Sequence, residues 1–477
     1  MEETRDALEN LRQKYSHVRV PDQDIGQENI LNNLDFLRGL KHSYVHQPTF
    51  LQAVEEIAIS LKPLFDSKNG EFYKKVFLIM AEPERLISFR VNWVDDEGNL
   101  RQNKGWRVEF SSVLGPYKGG LRFHPTVDED VLKFLGWDQI FKNALAGIPL
   151  GAGKGGSNFD PKGKSESEIR RFCESFMIEL YRYLHPSTDV PAGDIGVGIN
   201  ELGYLFGQYK RLTNRHGDSG LTGKPTALSG SQLRIEATGF GLIYIANFAI
   251  EKYGSTLSDS RCMLSGSGNV SQYAAKKLIE LGAKVITLSD SNGVLLFEHG
   301  MTRRDWDEII EIKQVNRGRL SSFSLDKGRE RRCKYIPKHS PWNMQSIQCD
   351  YAFPCATQNE IDENGAKTLI RNGVKGLFEG ANLPTTLEAQ RIIQQAKIIF
   401  IPGIAANAGG VSVSGLEMSQ NSQCLQWTEE EVDEHLKRIM MDIYRKIDQS
   451  NGSLASGAHR SAFLSVAHAM KDLGWVF

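Results

Sequence analysis

The first clear pattern along the chain is helical. Over residues 29–62, just before Pro63, apolar positions recur at helical spacing, with Phe50, Val54, Ile57 and Leu61 on one face. The period then changes to two. Residues 86–94 and 105–110 alternate apolar and polar positions on either side of Asp95-Asp-Glu-Gly-Asn99, which predicts two strands joined by a turn. Helices are expected again over 128–146 and 165–184, the second opened by the capping box Ser165-x-x-Glu168.

A second regime begins near Ser229. A short strand at 261–265 leads into Gly266-Ser-Gly268-Asn-Val-Ser271, a helix over 272–281 and a second strand at 284–289. Strand, glycine turn, helix, strand is the context of a dinucleotide-binding unit. Gly266 suits the tight turn, Gly268 lets a pyrophosphate approach the backbone, and the helix amino terminus attracts its charge. The third glycine position holds Ser271, a small residue but a departure from the pattern. Asp290 closes the second strand 22 residues after Gly268, where a group for the adenosine ribose is wanted. Apolar runs at 349–354, 376–380 and 398–402 each end in a polar or glycine-rich turn, as parallel strands lining a crevice would. An amphipathic helix starts at Thr428-x-x-Glu431.

Length and charge narrow the class of partner. A chain of 477 residues suggests two or three domains, and 57 basic against 58 acidic residues leave no net charge for nucleic acid or an anionic membrane. A small molecule is the expected partner. The acidic start carries no secretory or transit signature, and the long uncharged run at 398–416 holds Pro402 and several glycines, which spoil it as a membrane helix. Six cysteines form no C-x-x-C pair, so zinc is not expected. The expected compartment is the cytoplasm, with the mitochondrial matrix also compatible.

Candidate chemistry centres on Pro149-Leu-Gly-Ala-Gly-Lys154-Gly-Gly156, a lysine among four glycines that follows a helical segment. The stretch matches G-x-G-x-x-G but follows a helix exit instead of a strand. It also fails as a nucleotide-triphosphate loop, because Ile148 and Gly155 stand where that motif needs a glycine and a hydroxyl. Lys154 therefore reads as a reactive amine, against the bland alternative of a solvated lysine on a glycine-rich turn. Lys118 also lies beside paired glycines, Gln139 and Lys142 share a helix face, and Asp194 is a glycine-bounded loop carboxylate. Clustered positive charge would lower the pKa of each lysine and could hold a substrate with two carboxylates.

Gly115-Pro-Tyr-Lys-Gly-Gly, Gly153-Lys-Gly-Gly-Ser, Asp189-Val-Pro-Ala-Gly-Asp-Ile-Gly-Val-Gly198, Ser265-Gly-Ser-Gly-Asn-Val270, Pro354-Cys-Ala-Thr-Gln-Asn-Glu360, Glu379-Gly-Ala-Asn and Asn407-Ala-Gly-Gly-Val-Ser-Val-Ser-Gly-Leu-Glu-Met418 closely resemble the hexameric glutamate dehydrogenases, in order from about residue 30 to the end. The resemblance implies reversible oxidative deamination of L-glutamate to 2-oxoglutarate and ammonia, in a homohexamer. It implies that Lys118 and Ser414 hold the side-chain carboxylate, and that Gln139, Lys142 and backbone at Gly193 hold the α-carboxylate. Lys154 would then be the catalytic amine and Asp194 the proton shuttle. Cofactor contacts would come from Thr238, Gly266, Gly268, Asn269, Val270, Asp290, Ser291, Lys313 and Asn382. Relatives acting on leucine, valine or phenylalanine put apolar residues where this chain has Lys118 and Ser414, so glutamate is the expected substrate.

Asp290 alone would favour NAD, because a carboxylate repels a 2′-phosphate. The run Ser289-Asp-Ser-Asn-Gly293 and Lys313 resemble NADP-dependent members, and residues 313–334 carry eight Lys or Arg against two acids. NADP is favoured over NAD. The expected architecture is α/β in two domains with the active site in the cleft between them. Residues 1–228 form a substrate and oligomerisation domain with a mostly parallel sheet, and 229–454 a Rossmann-like dinucleotide domain. The final helix, in 455–477, is expected to return to the first domain. A sensor or scaffold that has lost catalysis is the competing class, with a phosphotransferase weaker still.

Overall fold

The computed structural model describes residues 34–217, 219–323, 333–449 and 453–475. Three helices come first, α1 (Arg38–Ser43), α2 (Pro48–Phe65) and α3 (Gly70–Met80). They precede a sheet formed by β1 (Arg85–Val94), β2 (Leu100–Ser111), β3 (Tyr117–Phe123), β4 (Ala152–Ser157) and β5 (Asp189–Gly193), with α4 (Glu129–Ala146), α5 (Glu166–Leu180) and α6 (Ile199–Thr213) between and after the later strands. The second half runs α7 (Ala237–Lys252), β6 (Arg261–Leu264), α8 (Asn269–Glu280), β7 (Lys284–Asp290), β8 (Gly293–Phe297), α9 (Arg303–Ile310), β9 (Cys333–Pro337), β10 (Tyr351–Phe353), α10 (Glu363–Arg371), β11 (Gly376–Phe378), α11 (Leu387–Gln395) and β12 (Ile399–Ile401). It closes with α12 (Gly403–Ala406), α13 (Gly409–Gln423), α14 (Glu429–Asp448) and α15 (Leu454–Asp472).

The first sheet has the order β1-β2-β4-β3-β5. It is mixed, less parallel than expected: β1–β2 and β2–β4 are antiparallel, β3–β4 and β3–β5 parallel. The long hairpin supplies the antiparallel half, as its period-two pattern and the 95–99 turn require. The second sheet has the order β12-β11-β10-β6-β7-β8-β9, with five parallel strands and an antiparallel extension through β8 and β9. Three-layer α/β packing around parallel strands is what the short apolar runs of the second half call for.

Two local expectations are corrected. The stretch around Lys154 is not a turn: Ala152–Ser157 is the fully buried strand β4, flanked by β2 and β3. Its glycines answer to packing, since a Cβ on Gly155 would lie 2.8 Å from the Trp106 carbonyl oxygen on β2 and one on Gly156 would run into that of Arg122 on β3. Lys118 lies within the neighbouring β3. The helix expected over 29–62 is also different. Residues 29–33 fall outside the described residues, the helix is interrupted at 44–47, and Pro63 lies inside α2 without stopping it. Burial of Leu61, Leu64 and Phe65 holds that last turn against the lost amide, a case of tertiary packing overriding local preference. Both capping boxes form, at Ser165 with Glu168 and at Thr428 with Glu431.

α4 is buried along nearly its whole length, with Trp137 and Phe141 fully enclosed. Each such side chain stabilises the fold by roughly 1.5–3 kcal/mol. α15 packs on α2 and α4: Phe463 meets Phe65 edge-on, and Ser60 Oγ lies 2.8 Å from His459 Nδ1. None of the described helices is long and apolar enough to cross a membrane.

Candidate active site

The sheet of the first half carries Lys118, Arg122 and Lys154 on β3 and β4, with Asp194 just after β5. Lys154 stands on β4 with only 4 % of its surface exposed, and its Nζ donates to Asp194 Oδ1 at 3.0 Å. Asp194 follows β5 directly. Its other oxygen accepts from Arg122 Nε at 2.6 Å. Burial pushes the Lys154 amine down from its usual range, with Asp194 opposing and Arg122 adding to the shift. For Asp194 burial acts upward, yet Lys154 and Arg122 together hold the carboxyl well below its ordinary range. In the resting site the carboxylate is ionised and shared between two cations.

Lys118 comes from β3, two alternations before Arg122, so both side chains leave the same face of the strand. It is buried, and its Nζ donates to Thr222 Oγ1 at 2.7 Å. Burial lowers its pKa strongly, and nearby Arg234 adds to the effect. Arg234 donates from Nε to Ser414 Oγ at 2.8 Å. Lys118 and Ser414, far apart in sequence, are thus linked through a shared cationic neighbourhood.

From α4, Gln139 Nε2 donates to Asn143 Oδ1 at 2.6 Å, and Asn143 Nδ2 in turn donates to the carbonyl of Lys118 at 3.2 Å. Lys142 reaches the second half, Nζ donating to Asn382 Oδ1 at 2.9 Å in the turn after β11. Burial pushes its amine down to about 8, Asp138 opposing and Lys154 reinforcing. Asp138, one helical turn before Lys142, is itself pushed up to about 6 by burial against the pull of those two lysines. Gly193 ends β5 beside Asp194.

In the second half, Gly266 takes φ +79°, which only glycine adopts freely, and Gly268 precedes α8 without a side-chain cap. A Cβ on Gly268 would meet nothing within 4 Å, so the backbone is open on that side just before Asn269 and Val270 begin α8. Thr238 faces the start of α13: a Cβ on Gly410 would lie 2.5 Å from its Oγ1. Asp290 closes β7. Both of its oxygens are taken by backbone amides, from Asn292 at 2.9 Å and from Leu320 at 2.9 Å. That anchor folds the following loop back so that Arg319 donates to Ser291 Oγ at 2.9 Å, while Lys313, on a π-helical turn after α9, donates to Gly318 O at 3.0 Å. The result is a basic corner beside Ser291. Lys327, Arg329, Arg331 and Arg332 of the same basic run lie outside the described residues.

Sequence reasoning missed Arg122, Asp138, Thr222, Arg234 and Arg319. Strand alternation from Lys118 could have found Arg122, and the i, i+4 spacing to Lys142 could have found Asp138. Nothing in the local sequence marks Thr222 or Arg234, whose partners lie more than a hundred residues away.

A family profile described as Glutamate/Leucine/Phenylalanine/Valine dehydrogenase matches residues 229–474, and one for the dimerisation domain of the same family matches 83–211. The chain is similar to the NADP-specific glutamate dehydrogenase of Chlorella sorokiniana, at 50% identity over 90% of this chain and 82% of that protein. It is also similar to the NADP-specific glutamate dehydrogenase of Escherichia coli strain K12, at 47% identity over 92% of this chain and 98% of that one. Among solved structures, glutamate dehydrogenase 2 of Plasmodium falciparum superposes with a TM-score of 0.86 at 48% identity, covering 94% of this chain and 99% of its own. With matches spanning both halves and high identity to relatives over most of its length, the chain belongs to the glutamate/leucine/phenylalanine/valine dehydrogenase family.

Proposed function

We propose that this chain is an NADP-dependent glutamate dehydrogenase that interconverts L-glutamate with 2-oxoglutarate and ammonia, with residues 1–228 and 229–454 as its two domains. The observation that carries the reading is the Lys154–Asp194 contact in a cleft with the buried Lys118 and Lys142 and the half-buried Arg234. Among the described residues, Lys118, Lys142 and Arg234 donate to hydroxyl or amide oxygens and to no carboxylate. Such cations suit a ligand that brings two carboxylates of its own.

Lys118, Arg234 and Ser414 hold the distal carboxylate, and Gln139 with Lys142 and the backbone of Gly193 the proximal one. Lys154 hydrogen-bonds the carbonyl oxygen of 2-oxoglutarate, gives it a proton as water leaves, and in the reverse direction activates the attacking water. Burial lowers the pKa of this amine, which eases the loss of its proton. Asp194 takes the proton released by the adding nitrogen. When Lys154 becomes neutral, Asp194 loses one of the two cations that hold its pKa down, so the carboxylate becomes a better base when it is needed. NADP, when bound, supplies hydride exchange with Cα. Gly266, Gly268, Asn269 and Val270 would hold its pyrophosphate, Thr238 and Asn382 its nicotinamide end, and Ser291, Lys313 and Arg319 its 2′-phosphate, with Asp290 bracing their loop. Family membership carries with it the expectation of a homohexamer and a cytoplasmic location.

The test is absorbance of the reduced nicotinamide with 2-oxoglutarate and ammonium. NADPH should be oxidised faster than NADH, and only when ammonium is present. Binding of NADPH without any oxidation would instead favour the sensor or scaffold.

A further inference from the structure

The helix that carries Ser414 is fastened to the first half by a group the reaction above does not use. Glu417, one turn along α13, is fully buried, as is its partner Lys224. Glu417 Oε1 accepts from Lys224 Nζ at 2.7 Å and Oε2 from the Gly223 amide at 2.8 Å. Lys224 also donates to Leu221 O at 2.6 Å and Asn421 Oδ1 at 2.9 Å. Two residues before Lys224, Thr222 receives Lys118 and donates its own amide to Pro191 O on β5 at 2.9 Å. On the other side Ser414 receives Arg234.

The result is a ring around the distal end of the substrate site: Lys118 to Thr222, Gly223 to Glu417, one helical turn to Ser414, and Ser414 to Arg234. Across the mouth of the cleft Lys142 and Asn382 share a single hydrogen bond, which a ligand could exchange for its own. At the distal end several buried bonds to Glu417 and Lys224 fix the two walls. A fully satisfied buried ion pair adds little net stability relative to apolar residues, and its better-attested use is to fix one arrangement over others. The carboxylate of Glu417 also lies close enough to favour the charged forms of both Lys118 and Arg234.

We propose that Glu417 and Lys224 are the positioning pair that sets the width and charge of the pocket for the distal carboxylate, so that preference for a dicarboxylic 2-oxo acid is decided behind the groups that touch it. This rests on the assignment of Lys118 and Ser414 to that carboxylate. Glu417→Gln keeps the shape but leaves one carbonyl oxygen to serve both the Gly223 amide and Lys224. Kinetics are to be measured with 2-oxoglutarate and with 2-oxovalerate, which has a methyl group in place of the distal carboxylate. A wild type that does not prefer 2-oxoglutarate overturns the pocket assignment itself, and with it the proposal. Given that preference, Glu417→Gln should raise KM for 2-oxoglutarate about tenfold, the scale of one hydrogen bond to a charged group, with kcat little changed and kcat/KM for 2-oxovalerate preserved. Equal losses on both substrates, or none on either, would overturn the positioning role. Should that variant not fold, Glu417→Gln with Lys224→Met removes both charges together, and the same selective rise in KM is required of it.

Discussion

Lys118 and Lys224 are both buried lysines, at 1 % and 3 % exposure, and they stand in opposite states. Lys224 has three N–H donors and three acceptors, a carboxylate, a carbonyl and an amide. Lys118 has a hydroxyl from Thr222 and faces another cation, Arg234. Taking an ammonium out of water is costly unless it is paired, so the first is a completed structural element and the second is held short of a partner. The difference separates lysines that build the fold from lysines kept for a ligand, which burial alone does not do. Lys142, on an amide, falls on the side of Lys118. Lys154 stands between the two, with a carboxylate that it shares with Arg122.

The contrast can be broken most sharply at the distal pocket. Lys118→Leu with Ser414→Val should lower kcat/KM for glutamate on the order of 10³-fold, the scale of leaving a buried carboxylate without its cation. A monocarboxylic amino acid should be spared, and the melting temperature should hold or rise. Unchanged glutamate turnover would remove these residues from the site. Lys224→Met alone should do the opposite, costing about 3–5 kcal/mol of stability because Glu417 is left buried and unpaired. A denaturant titration that finds no loss would erase the distinction between the two lysines.

Lys142 sharpens the comparison through pH. With its amine pushed down to about 8, the charged form that attracts the proximal carboxylate is complete below that pH and lost above it. KM for 2-oxoglutarate should therefore climb above pH 8, by up to about tenfold per pH unit. Lys142→Arg, which stays charged, should flatten the climb even if its starting KM is higher. A flat wild-type profile between pH 8 and 9 would count against a ligand-facing Lys142. The smallest effect is expected in the second half, where Arg319 also rests on a hydroxyl, that of Ser291. Arg319→Ala should raise KM for NADPH about tenfold, the loss of one charge-assisted bond, and leave KM for NADH nearly unchanged.

Much of the site was legible in the sequence because its glycine-rich strings are specific. The turn at Gly266, the capping boxes and the two-residue period of the hairpin all translate local chemistry directly into structure. Less legible was anything decided by neighbours from elsewhere in the chain. The glycines around Lys154 look like a turn, yet they form a strand because β2 and β3 press close on both sides. Pro63 looks like a stop and is carried inside α2 by burial around it. The local sequence around Asp290 does not show that its oxygens also accept from two backbone amides, one of them 30 residues on. The hydrophobic periodicity of α4 gave no face to choose, since that helix is enclosed nearly all round.

The most direct measurement of the central claim is turnover and thermal unfolding of Lys154→Ala on one preparation, with NADPH, 2-oxoglutarate and ammonium. A ligand-directed lysine predicts a fall in kcat of roughly 10²–10⁴-fold, the usual contribution of an acid–base group, with unfolding no lower than in the wild type. Retained turnover, or turnover lost only in step with the folded fraction, would show that Lys154 belongs with Lys224 as a structural lysine and would contradict the assignment of the site.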